Sequence, residues 1–133
     1  MKNLLKLVPV LFLSASILVA CNKDDDPIIK SEKLTSVSYK PNSMTGKVNV
    51  AFKSSEIKLN PTTAKATFTI KKITKDGANF TNPSKGFKID SKGKVHSETG
   101  HKLLKGTYVV TVSAKDKSDN KIIKTATVKI TIS

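Results

Sequence analysis

Gly106-Thr107-Tyr108-Val109-Val110-Thr111-Val112-Ser113-Ala114-Lys115-Asp116, followed by Thr125-Ala126-Thr127-Val128-Lys129-Ile130-Thr131-Ile132, decides the fold class of this chain. Tyr108, Val110, Val112 and Ala114 recur at every second position of the first segment, as do Ala126, Val128, Ile130 and Ile132 in the second. Side chains of an extended strand point alternately to opposite faces, so this period of two describes strands with one face buried. Upstream, Ala66, Phe68 and Ile70 alternate with Lys65, Thr67, Thr69 and Lys71, and Val48, Val50 and Phe52 alternate with Lys47, Asn49 and Ala51. Each stretch is expected to be a strand. With shorter strands at about 34–40, 87–89 and 94–96, the total is roughly seven in about 100 residues. Asn60-Pro61, Asp76-Gly77, Asn82-Pro83 and Ser91-Lys92-Gly93 supply turn chemistry between them. No window sustains a helical period. Short strands with no helices to cover a parallel sheet predict an all-β, antiparallel β-sandwich in which two sheets bury the alternating residues against each other.

The segments Gly86-Phe87-Lys88-Ile89-Asp90-Ser91-Lys92-Gly93-Lys94-Val95, 106–116 and 125–132 resemble the cadherin-like and immunoglobulin-like repeats of bacterial surface proteins. The likeness covers about 86–132. It implies that Phe87 and Ile89 start a core strand, that Asp90 and Gly93 form the turn into the next, and that Tyr108 opens the penultimate strand. At that position a tyrosine can bury its ring while its hydroxyl bonds backbone across the corner. Cadherins bind calcium through acidic motifs, and here the chain departs from them, reading Lys102-Leu103-Leu104-Lys105 where such a segment would fall. Asp90, Asp116 and Asp119 stand isolated among lysines, whereas calcium needs six to eight oxygens with several carboxylates converging. No calcium is expected.

The first twenty residues have the layout of a secretory signal, with Lys2 and Lys6 ahead of an apolar run from Leu7 to Ala20. That run is shorter than the roughly 18 residues a membrane span needs. Leu18-Val19-Ala20-Cys21 resembles the lipobox of bacterial lipoproteins, which implies that Cys21 is acylated and becomes the first residue after cleavage. The alternative is an ordinary signal peptide with a chance cysteine past its cleavage site. Cys21 is the only cysteine, so no intramolecular disulfide can form. Lys23-Asp24-Asp25-Asp26 next to it is similar to the surface-export signal of Bacteroidetes lipoproteins, which implies transfer to the outer face of the outer membrane; a plain polar spacer is the alternative. The expected organisation is a signal peptide over 1–20, a lipidated cysteine and flexible acidic tether over 21–33, and one immunoglobulin-like domain over 34–133.

All 24 cationic side chains are Lys; with Lys2 and Lys6 set aside, 22 of them face 10 acidic residues, a net +12. A nucleic-acid interface would favour arginine, whose planar fork pairs with phosphate and guanine, and would cluster its cations. Neither holds, so no nucleic-acid partner is expected and the lysines read as a solvated surface. His96, Glu98 and His101 contain metal-ligand residue types, but the spacing matches no metal constellation and no helix is available to align two imidazoles. They read as polar residues of a solvated loop, with no metal or other cofactor. No nucleophile has a recognisable base and orienting partner, and no carboxylate pair suits glycoside hydrolysis, so the chain is expected to be non-enzymatic. The expected function is a lipid-anchored surface binding, adhesion or spacer module, held at the membrane by its anchor, with an anionic glycan or another surface protein as partner. An accessory glycan-binding lipoprotein of a polysaccharide-uptake system is the alternative. An exposed aromatic trio would favour the latter, and a face of Thr and Lys alone would favour protein contact.

Overall fold

The computed structural model describes residues 31–133. Cys21, the lipobox residues Leu18, Val19 and Ala20, and the acidic cluster Lys23, Asp24, Asp25 and Asp26 lie outside the described residues. The described residues form ten strand segments: β1 (Ser36–Tyr39), β2 (Ser43–Gly46), β3 (Phe52–Lys53), β4 (Ile57–Asn60), β5 (Ala66–Lys75), β6 (Ala78–Asn79), β7 (Lys88–Ile89), β8 (Val95–Ser97), β9 (Gly106–Asp116) and β10 (Ile123–Ile132). One sheet has the order β2-β10-β9-β5-β6; two smaller ones are β1-β4 and β3-β8-β7. The described residues contain no helix.

The long alternating segments are the centre of the large sheet. β9 and β10 pair antiparallel from Ile123↔Lys115 to Ile132↔Gly106, and β5 pairs with the other side of β9. Their inward residues Ile73, Tyr108, Val110, Val112, Val128, Ile130 and Ile132 meet Tyr39, Ile57, Phe87, Val95 and Leu103 from the other layer in one core. Leu34, Ala64 and Ala114 form a second, smaller cluster at the end where the chain enters the described unit. Burial of apolar surface at about 25 cal/mol per Å² is the main force closing the two layers, since no disulfide is available.

Three departures from the sequence expectation have identifiable causes. Val48, Val50 and Phe52 do not form a continuous strand. The chain turns there, with Asn49 in the left-handed region at φ 65° and the Val50 N–H donating to Lys47 O at 3.2 Å; only Phe52–Lys53 pairs, with β8. The turn is forced because β2 belongs to the large sheet and β3 to the other layer. Second, the alternation in β5 breaks at a bulge between Ile70 and Lys72, which turns Ile73 into the core and leaves Lys71 and Lys72 exposed. Third, one pair is parallel: β2 runs alongside β10 with Met44 opposite Ile130. β1 pairs with β4 in the small layer, and after Lys40–Asn42 the chain continues as β2 in the large one.

Two features make the sandwich immunoglobulin-like. The last, penultimate and third long strands lie side by side in one sheet as β10-β9-β5. The Tyr108 hydroxyl, at the start of the penultimate strand, donates to Leu104 O at 2.8 Å, four residues upstream, closing a tyrosine corner. Two residues beyond the corner tyrosine, where antibody domains place an inter-sheet cysteine, stands the fully buried Val110. Turn residues act as expected at Asp76-Gly77, both at positive φ between β5 and β6. Gly93 has φ +72°, and a Cβ there would sit 2.4 Å from Ile57 Cγ2.

Candidate functional site

The register of the large sheet sets its solvent-facing side chains in rows. Thr69, Ser113 and Thr125 lie across β5, β9 and β10; next come Lys72, Thr111 and Thr127, then Thr74, Val109, Lys129 and Ser43, then Thr107, Thr131 and Thr45. On the other side of the Thr69 row stand Thr67, Lys115 and Ile123. Neighbouring strands are about 4.8 Å apart, so these hydroxyls and ammonium groups form a continuous surface. Its rows contain Lys72, Lys115 and Lys129 and no carboxylate; Asp76 stands at the margin, accepting the Thr107 N–H at 2.8 Å. The pattern follows from the strand alternation: Thr is well suited to a pleated surface and Lys to an exposed face.

No Phe or Tyr among the described residues is exposed. Tyr39 donates its hydroxyl to Gly93 O at 2.5 Å, and burial, reinforced by the charge of Asp90, pushes its ionisation well upward. Tyr108 is held edge-on between Phe80 and Phe87, at centroid distances of 5.1 and 5.2 Å. A shallow apolar depression over β3 and β8, bounded by Ala51, Phe52, His96 and Thr99, uses the flank of Phe52. That ring packs edge-on against Phe87 and His101 and belongs to the core.

His96, Glu98 and His101 are not the solvated loop their sequence suggests. His96 lies within β8, Glu98 is exposed and paired with Lys88 at 2.8 Å, and His101 is 2% exposed. His101 Nδ1 accepts the Leu103 N–H at 3.2 Å, which assigns the ring proton to Nε2, 3.2 Å from Lys47 O. Both nitrogens are therefore committed to backbone, tying the 99–105 loop to the turn after β2. A histidine in a polar, glycine-containing stretch carries no sequence signal for such a role; only the folded packing reveals it.

The isolated aspartates serve the backbone. Asp116, fully buried, accepts from Leu34 N at 2.6 Å, from Ser118 N and Oγ at 2.7 Å, and from Asp119 N at 3.3 Å. The Leu34 N–H first, then the Ser118 groups, hold its carboxyl down to about 2. Burial works to raise Asp90, but the Lys53 ammonium at 2.9 Å and the Lys94 and Lys92 N–H groups outweigh it and bring it down to about 2. No group of three or more His, Cys, Asp or Glu among the described residues is arranged to hold a metal ion. Of seven carboxylates in residues 31–133, five are ion-paired, Asp116 caps backbone, and Glu32 accepts from Thr63. Fifteen of the twenty lysines in that span have no carboxylate partner among the described residues.

No family model matches the chain, and no curated protein matches it. Among solved structures it is similar to titin domain M7, at 19% identity and a TM-score of 0.38, over 77% of this chain and 92% of that one. A chimeric titin Z1Z2 carrying an exogenous KLER peptide from decorin is similar at 18% identity and a TM-score of 0.36, over 77% and 93% of the two chains. Likeness at that level is loose, and the immunoglobulin-like assignment rests on the strand order and tyrosine corner of this chain.

Proposed function

We propose that the chain is a non-catalytic binding, adhesion or spacer module, lipid-anchored through Cys21 at the outer membrane and displayed to the exterior, whose contacts are with acidic partners. The observation that carries this reading is the outer face of the five-stranded sheet, whose rows are mostly Thr, Ser and Lys, with Val109 and the exposed Ile123 among them, and hold no carboxylate and no exposed aromatic. Such a face supports protein contact over stacking on a neutral sugar, which needs an aromatic platform. The unpaired lysines create a long-range positive field that raises the encounter rate with polyanions without any shaped pocket. Against catalysis stand the commitments already described: the imidazole of His101 to backbone, and each carboxylate of 31–133 to a lysine, a hydroxyl or a backbone N–H.

The test is an array of acidic and neutral proteins and glycans, probed with the full chain in detergent at two salt concentrations. Binding should be broad across anions and should weaken steeply above physiological ionic strength, where the Debye length is about 8 Å. Tight, salt-independent binding of one neutral glycan would sink the reading. Display is tested separately by replacing Asp24, Asp25 and Asp26 with Ala and exposing intact cells to protease; unchanged accessibility would reduce the cluster to a spacer.

A further inference from the structure

We propose that the end of the sandwich remote from Leu34 is a docking tip for an acidic polypeptide, with Val50 and Leu104 as its apolar anchors and Lys47, Lys85, Lys102 and Lys105 around them. This deepens the proposed function, on whose acidic-partner reading it rests. β10 runs from Ile123, close to the Asp116 loop that holds Leu34, to Ile132 opposite Gly46 and Gly106. Beyond that point three loops meet. Val48 N donates to Ser133 O at 3.2 Å, Gly100 N to Asn49 O at 3.0 Å, and Lys102 N to Lys85 O at 3.3 Å. His101 links to Lys47 O, and the tyrosine corner fixes Leu104 O.

On this backbone-stitched platform Val50 is 51% and Leu104 69% exposed. Leu104 sits beside Leu103, which takes the buried position, so the second leucine is left outside. Lys47, Lys85, Lys102 and Lys105 are all exposed and none is within ion-pair distance of a carboxylate among the described residues, although the charge of Lys85 contributes to holding Glu98 ionised. The carboxylates nearest this end are already occupied, Asp76 by Lys75 and the Thr107 N–H, and Glu98 by Lys88. Aliphatic side chains held in rigid loops bind at low ordering cost, and a ring of unpaired cations selects a partner bearing Asp or Glu. A polyanionic glycan would leave Val50 and Leu104 without a use. A bilayer surface is approached through Trp, Tyr or Phe anchors, and the tip exposes none among the described residues. An acidic chain with aliphatic side chains satisfies both halves of the surface.

The probes are fluorescein-labelled synthetic peptides, one alternating Glu and Leu and one all Glu, together with phosphatidylglycerol vesicles, each titrated against the full chain in non-ionic detergent. The mixed peptide should bind about tenfold or more tighter than the all-Glu peptide, as expected from burying two aliphatic side chains. Amide shifts on binding should centre on Val50, Lys102 and Leu104. Val50→Ser with Leu104→Ser should erase that preference, and Lys102→Glu with Lys105→Glu should weaken both peptides. Lys58→Glu with Lys121→Glu, exposed lysines outside both the tip and the sheet face, should leave the preference intact. A preference that survives the Ser pair, or vesicles binding more tightly than either peptide, overturns the tip. Salt-sensitive binding that maps to the sheet face removes the tip and leaves the proposed function standing, whereas no peptide binding at any salt removes both.

Discussion

Replacing Tyr108 by Phe separates the hydroxyl of the tyrosine corner from the ring that carries it. The ring is fully buried between Phe80 and Phe87 and stays in place, so the variant loses only the 2.8 Å bond to Leu104 O. A net intramolecular hydrogen bond is worth about 0.5–1.5 kcal/mol. Leu104 is exposed, so its carbonyl can recover a water partner, and the cost should be about 1 kcal/mol, short of the larger penalty for a stranded buried acceptor. A domain of this size has a melting entropy of about 0.2 kcal/mol per kelvin, which converts that loss to a fall in Tm of roughly 5 °C. Tyr108→Ala removes the ring as well and should cost about 3–5 kcal/mol, most or all of the stability of a marginal domain. Differential scanning calorimetry and urea titration of both variants read the two quantities. A Phe variant as damaged as the Ala variant would show that the hydroxyl, not the ring, holds the corner. A Phe variant indistinguishable from the native chain would show that the corner bond adds nothing in solution.

Gly93→Ala should destabilise by about 2–4 kcal/mol, because the left-handed φ disfavours a side chain and the new Cβ meets Ile57 Cγ2 at 2.4 Å; an unchanged urea midpoint would refute both causes. Acid should weaken the domain between about pH 4 and pH 2. Asp90 and Asp116 titrate near 2 in the native chain and near the ordinary value of about 3.9 when unfolded, so the unfolded state takes up protons first as pH falls. Their contribution is complete above the unfolded value and fades toward the native one, and Asp116→Asn should flatten the Tm–pH curve across that window. Cys21→Ala should abolish both uptake of a palmitate analogue and fractionation with membranes, since about 0.8 kcal/mol per buried methylene is then lost; an unlabelled native chain would refute the lipid anchor.

Period-two alternation alone was enough to place β9, β10 and the first half of β5, because each keeps one face in water and one in the core along its whole length. The corner role of Tyr108 was legible too, from Gly106-Thr107 before it and the Val110, Val112 face after it. Alternation misled where the chain changes layer. Lys47 to Phe52 has the apolar spacing of a strand, yet Val50 ends up outside because the backbone must cross from one sheet to the other at Asn49. β2, β4 and β6 are too short and too mixed in composition to be read locally; pairing with distant partners makes them strands. The same holds for function. Thr and Lys alternating along single strands foretold a polar outer face, but its continuity across β2, β10, β9 and β5 depends on cross-strand register. The burial of His101, the capping of Leu34 by Asp116 and the bond from Gly100 N to Asn49 O join residues far apart in the chain. A linear pattern records which way a side chain faces along its own strand. It holds no record of which strand comes to lie beside it, and that choice is made only when the two layers close.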